Sequence, residues 1–225
     1  VRGRVRLGVG GSRGTVIEAM DVTTSPLDLA VVAPWLGALP LRGLVAGHAS
    51  GSGPLSALDV DANLVFTDDA VPGRPVSTVI GRGRLALGGS GQVAFHGLAL
   101  SRADLSLATV QHLAPAVNLH GRLALSGTLD GPWRAASFSG TLAHADGDGP
   151  PSTARGTARL VLGDTVFLSA ELDADSLSFD DLARTYVGLP LHGAVAGHVR
   201  VVGPVTALEV SADLAGPAGH VVASG

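Results

Sequence analysis

The 225-residue chain contains no cysteine. That excludes disulfides, thiolate zinc sites and cysteine nucleophiles together. All 15 basic residues are arginine, so phosphate chemistry of the P-loop type, which needs a lysine, is excluded as well. Aromatic residues are scarce, with five Phe, two Trp and one Tyr, too few to fill a conventional core with large rings. Long apolar runs are also missing. The longest, "LAVVAPWLGALPL" from Leu29 to Leu41, has 13 residues and is broken by Pro34, whereas a spanning helix needs about 20. The formal charge is −4 and the arginines are scattered. Nucleic-acid binding is therefore not expected, because a grip on phosphates needs clustered cations.

Small residues are abundant: 32 glycines within a chain that is 46% hydrophobic. They recur in phrases. "LPLRGLVAGHASGSGP" (Leu39 to Pro54) and "LPLHGAVAGHVRVVGP" (Leu189 to Pro204) agree at 10 of 16 positions. Leu41, Leu119 and Leu191 each begin Leu-x-Gly, and a Gly-Pro follows 12 residues after each. Fourteen residues before each stands an apolar pair: Leu27/Leu29, Leu105/Leu107 and Leu177/Phe179. A 38-residue window thus aligns three times without a gap, at 27–64, 105–142 and 177–214. Fixed internal spacings in every copy are the mark of a repeat architecture. The whole chain, 1–225, reads as one repeat array. Beginning at Val1 and stopping within an apolar alternation, it also reads as a fragment of something longer.

Within each copy the pattern has period two. Leu119, Gly121, Leu123, Leu125, Gly127 and Leu129 share one face, with His120, Arg122, Ala124, Ser126, Thr128 and Asp130 on the other. Successive strand side chains point to opposite faces, so each copy predicts strands with one apolar and one wet side. After Gly-Pro the alternation resumes: Leu58, Val60, Ala62, Leu64 and Phe66, then Leu208, Val210, Ala212 and Leu214. Gly-Pro reads as a turn between antiparallel strands. A short non-strand piece precedes each Leu-x-Gly strand. In "SLSFDDLARTYVGLP" Ser178 and Asp181 are spaced like a capping box and Leu182 and Tyr186 lie one turn apart. Four or five strands and one short helix make a unit.

The rhythm "L-x-G", then Gly-Pro 12 residues on, then alternating apolar residues, entered through an "LPL"-type phrase, resembles TamB and the wider AsmA-like envelope proteins of diderm bacteria. The resemblance implies a mainly β fold: an extended, repetitive antiparallel β-groove, a taco-like twisted sheet with one short helix per repeat of about 75 residues. It implies a periplasmic location with an inner-membrane anchor outside this fragment, phospholipid acyl chains as cargo, and an outer-membrane β-barrel partner. It carries over no catalytic residue and no cofactor. Composition and periodicity alone leave an alternative open, a secreted structural or adhesive β-repeat whose apolar face is packed shut in a sandwich or solenoid.

The residues expected to line a lipid groove are Leu41, Val45, Leu58, Val60, Leu119, Leu123, Leu125, Phe138, Leu142, Leu191, Val195, Val199, Leu208 and Val210. Their role would be to act as solvent for hydrocarbon. His48 and His198 fall seven residues after their Leu-x-Gly leucines, on the polar side of the alternation, two repeats apart and unable to share one ion. "GVGGSRG" (Gly8 to Gly14) has Arg13 where a dinucleotide-binding loop needs its last glycine, and no helix pattern follows. "GGSGQV" (Gly88 to Val93) lacks the aspartate of a calcium-binding β-roll, and "DGDG" (Asp146 to Gly149) lacks the downstream ligands of a calcium loop. Asp68-Asp69 and Asp180-Asp181 are carboxylate pairs without a readable partner acid, base or nucleophile. No metal site, catalytic constellation or enzyme activity is expected.

Overall fold

The period-two alternation becomes pleat in the computed structural model, which describes residues 2–9, 15–31, 41–88, 92–115, 119–147, 149–185, 192–217 and 219–225. Thirteen strands follow one another: β1 (Arg2–Val9), β2 (Thr15–Asp28), β3 (Gly43–Pro54), β4 (Leu58–Asp68), β5 (Val76–Leu87), β6 (Val93–Ser106), β7 (Arg122–Pro132), β8 (Ala135–Ala145), β9 (Ser152–Val161), β10 (Phe167–Ser178), β11 (Ala194–Pro204), β12 (Glu209–Gly216) and β13 (Gly219–Ser224). They form one antiparallel sheet in strict chain order, each strand paired to its neighbours in sequence. Two short helices, α1 (Leu107–Leu113) and α2 (Phe179–Thr185), interrupt the meander. Residues 29–31 begin a helical turn at the corresponding place of the first repeat.

The repeat therefore has four strands: β2–β5, β6–β9 and β10–β13, each introduced by a long first strand that runs into a helical piece. The Leu-x-Gly glycine has a specific task at this junction. Gly43, Gly121 and Gly193 adopt φ of +147°, +88° and +84°, a region that side chains with a Cβ avoid. The carbonyl of Gly121 then accepts the amide of Leu107 at 3.0 Å, and that of Gly193 accepts the amide of Phe179 at 2.9 Å. The motif thus ties the start of each helix to the start of the next strand. Pro54, Pro132 and Pro204 are the last residues of their strands, in register with Val16, Ala94 and Phe167, where a missing amide hydrogen is tolerated.

The capping box expected at Ser178 and Asp181 is half formed. Asp181 donates its amide to Ser178 Oγ at 3.3 Å. The reciprocal bond is replaced, since the Ser178 amide goes to Ser152 Oγ at 3.0 Å and Asp181 Oδ2 accepts the amide of Asp146 at 3.3 Å. Both replacement bonds join α2 to the β8–β9 hairpin of the preceding repeat. "ADGDGPPST" links the two strands between Ala145 and Ser152, with Asp148 outside the described residues. Tyr186 and much of "GVGGSRG" lie outside the described residues.

The first strand of every repeat carries a bulge the alternation does not announce. One extra residue is inserted between Thr24 and Leu27, between Leu100 and Ala103, and between Ala174 and Leu177. Each insertion flips the parity of the apolar set, so Leu172 and Leu177 face the same side. The shorter second period, 72 residues against 78 between successive Leu-x-Gly motifs, arises mainly in the intervening strands. β5 and β6 have 12 and 14 residues, whereas β9 and β10 have 10 and 12.

The sheet is open and uncurled, with β1 and β13 at its edges. Its accessible surface, 12889 Å², exceeds by more than a third the roughly 9,400 Å² expected of a compact monomer of this mass. The excess reflects a single layer whose apolar side is not folded onto a second one among the described residues.

Candidate functional site

Side chains can be followed strand by strand because the register is specified across all thirteen. One transverse row runs unbroken from edge to edge: Gly3, Val22, Ala49, Ala62, Gly81, Leu100, Gly127, Gly140, Gly156, Leu172, Val199, Ala212 and Ala223. Every member is apolar or glycine. The adjacent row on the same face includes Leu64, Val79, Ala103, Leu125, Leu142 and Ala154. The apolar strips of the three repeats are therefore one continuous face. Soluble monomers rarely expose so much contiguous apolar surface without a use for it.

Large side chains on this face lie down over glycines. A Cβ built on Gly127 would stand 3.0 Å from Phe138 Cε2, and one on Gly140 would stand 2.9 Å from Phe138 Cζ. The ring therefore covers two facing glycines, and Phe138 is 8% exposed without a second sheet above it among the described residues. Leu100 likewise leans towards Gly81, its Cδ2 3.1 Å from where a Cβ would be, and is 6% exposed. Seating bulky groups sideways in glycine notches keeps the face low and smooth.

The residues expected to line a groove fall as follows. Val45, Leu58, Val60, Leu123, Leu125, Phe138, Leu142, Val195, Val199 and Val210 all lie on strands, on the apolar face. Leu125 stands directly opposite Leu142 and Val195 opposite Leu177. Leu41, Leu119 and Leu208 occupy the residues leading into β3, β7 and β12. Leu191 lies outside the described residues. Sequence reasoning missed the contribution of the first and fourth strands, including Val79, Leu85, Leu98, Leu100, Leu172 and Ala174. The doublets Ser101-Arg102 and Asp175-Ser176, which break the alternation, were the available signal for a bulge and a change of parity.

The other face is polar and charge-paired. His48 Nε2 lies 3.0 Å from Asp21 Oδ1, and His198 Nδ1 lies 3.0 Å from Asp173 Oδ1. Arg84 and Arg155 pair with Asp59 and Asp175 at 3.2 and 2.7 Å. The Asp175 hydrogen bond, then its charge, holds the Arg155 pKa above the ordinary arginine value. At the start of α2, His192 Nδ1 is 3.1 Å from Asp180 Oδ1 and the Gly193 amide donates to Asp180 Oδ2 at 3.2 Å. The His192 bond, and after it the Gly193 bond, hold the Asp180 carboxyl below its usual range. Exposed pairs of this kind add little stability singly but keep one side of the sheet wet. Among the described residues no three His, Cys, Asp or Glu side chains are placed to hold a metal ion, and no helix is long and apolar enough to cross a membrane.

No protein-family model matches this chain, and neither a curated protein nor a solved structure is significantly similar to it.

Proposed function

We propose that the apolar face holds phospholipid acyl chains and lets them pass along the sheet, as a segment of an envelope-spanning protein of the TamB/AsmA-like kind. The carrying observation is the unbroken apolar row from Gly3 to Ala223, uncovered by any second sheet among the described residues. Thirteen strands at about 4.8 Å place its ends roughly 58 Å apart, longer than the hydrocarbon thickness of a bilayer, about 30 Å. A sixteen-carbon chain gains on the order of 12 kcal/mol on leaving water, so a path must shield it continuously. The rows supply shielding without deep pockets, and without charges that would arrest a lipid at one position. The periplasm, and an outer-membrane β-barrel as working partner, complete this reading. A closed sandwich or solenoid would need a second layer over the same rows.

The test exploits two neighbouring residues. Val199 points to the apolar side, opposite Leu172 and Ala212, and Arg200 points to the other, opposite Glu171 and Ser211. A photo-crosslinking residue is placed at each position in turn, in protein expressed in a diderm host, and adducts are read by mass spectrometry. Phospholipid adducts at position 199 and not at 200 are expected. Equal capture at both, or none at 199 in folded protein, would sink the proposal.

A further inference from the structure

The two ends of the strands are built differently. One end carries α1 and α2, and the other carries the Gly-Pro turns. Every buried polar residue among the described ones sits at the helix end. Ser77, Ser106 and Thr109 mark one junction, and Ser152, Ser178 and Asp181 the next. Ser77 and Ser152 share the parity of Val79 and Ala154, so these polar groups lie on the apolar side of the sheet itself. Charged side chains at this end are already paired: Arg74 with Asp69, Arg122 with Asp104 and His192 with Asp180.

The Gly-Pro end has the opposite character. Turns usually carry small polar residues, yet here each Gly-Pro is followed by a large apolar residue and then an exposed polar one. The pairs are Leu55-Ser56, Trp133-Arg134 and Val205-Thr206, and the apolar member of each is half-buried. Neighbouring hairpins fix two of them through their amides, Trp133 to the Val93 carbonyl and Val205 to the Val166 carbonyl, both at 2.9 Å. Phe167, opposite Pro204, is 40% exposed. Arg134 lies over the Trp133 ring, 5.0 Å from its centroid, and has no carboxylate partner among the described residues. Apolar bodies with polar neighbours at their outer edge suit the boundary between hydrocarbon and water.

We propose that phospholipids lie with their headgroups along the Gly-Pro end, where Arg134 meets their phosphates, and with their acyl chains running along the strands towards the middle of the sheet. The proposal rests on the lipid-conduit reading above and gives it an orientation. The lengths agree. An acyl chain occupies about 15 Å, half the hydrocarbon thickness of a bilayer, which matches about four or five strand residues. Counted from Pro132, that reaches Gly127 in the central row of glycines and small residues. β7 has 11 residues and is roughly 37 Å long. Chains held from the Gly-Pro end therefore stop short of the buried polar groups at the helix end.

The test uses two photoreactive phosphatidylethanolamine analogues. One carries a diazirine on the headgroup, the other at the methyl end of an acyl chain. Each is supplied to the whole chain in vesicles of phosphatidylethanolamine and phosphatidylglycerol, and labelled peptides are identified by mass spectrometry. The headgroup probe is expected in 131–135, 162–167 and 204–208, and the acyl-end probe in 125–129 and 197–201. Arg134→Gln, at an exposed position, should lower headgroup capture at 131–135 about fivefold, the usual worth of one arginine at an anionic lipid surface. Acyl-end capture serves as the internal reference. Headgroup capture in 107–113 or 178–185, capture equal at both ends, or capture indifferent to Arg134→Gln would each overturn the proposal. With any of these, acyl-end capture on the central row would still uphold the conduit. Absence of both probes from the strands of folded protein would overturn the conduit as well.

Discussion

Ser152 Oγ accepts the amide hydrogen of Ser178 at 3.0 Å, and one repeat earlier Ser77 Oγ accepts that of Ser106 at the same distance. All four serines are buried. In each case a fourth-strand hydroxyl satisfies the last backbone amide before a helix, where the ladder has ended. The bond joins one repeat to the next, so it serves as an inter-repeat latch.

Ser152→Ala should therefore leave the Ser178 amide buried and unpaired. The expected loss is about 1–3 kcal/mol, read as a lower urea midpoint with an unchanged slope if unfolding stays cooperative. Because repeats contact only their neighbours, hydrogen exchange should quicken first in 167–185. Ser77→Ala should produce the same loss one repeat earlier, and a change at Ser77 without one at Ser152 would rule out a common latch.

Thr109 and Asp181 are the third residues of α1 and α2, yet they are served differently. Asp181 Oδ2 receives the Asp146 amide, whereas Thr109 Oγ1 is buried with no partner among the described residues. An unpaired buried hydroxyl is costly, and Thr and Val have nearly equal helix propensity. Thr109→Val should raise stability by about 1 kcal/mol in thermal or denaturant unfolding. Asp181→Ala should do the reverse, orphaning the Asp146 amide.

How far the sequence speaks for the fold depends on which strand is asked. The second and third strands of each repeat keep one parity throughout, so Leu123, Leu125 and Leu142 could be assigned to a face from spacing alone. The first strands could not, because bulges after Thr24, Leu100 and Ala174 move later residues to the other parity. The fourth strands β5 and β9 share only Gly-x-x-Arg-Leu, and a six-residue difference in period hid that phrase from a gapless window. At the helix the spacing of Ser178 and Asp181 announced a cap, but not that Ser152 and Asp146 compete for its bonds. Those partners lie 26 and 35 residues away, beyond the reach of local pattern. The openness of the apolar face is a global property, and alternation is the same under a second layer or under none.

Phe138 offers a direct probe of how that face is made. Its ring rests over Gly127 and Gly140, so truncation to Ala removes the ring and bares two backbone segments. The expected loss is about 3–5 kcal/mol, the range for deleting a well-buried aromatic side chain. Gly140→Val should also destabilise, because its Cβ would meet the Ser126 carbonyl oxygen and the ring together. If Phe138→Ala costs no more than an exposed residue would, the ring does not lie flat and the face is rougher than described.

Acid titration isolates the pairing at the start of α2. The Asp180 carboxyl is lowered first by its hydrogen bond to His192, then by the Gly193 amide, and further by the charge of His192. A carboxyl whose folded value lies below its unfolded value of about 3.9 contributes stability that is present above that value. The contribution is lost as pH falls through the folded one. Asp180→Asn should therefore flatten the acid limb of a plot of unfolding midpoint against pH, below about pH 4, and leave its slope near neutrality unchanged. The second repeat provides the control. His120 occupies the place of His192, but Ala108 stands where Asp180 does, so His120→Ala should leave the acid limb as it is. An acid limb for Asp180→Asn that superimposes on the parent protein would mean the carboxyl is solvated and the pairing adds nothing.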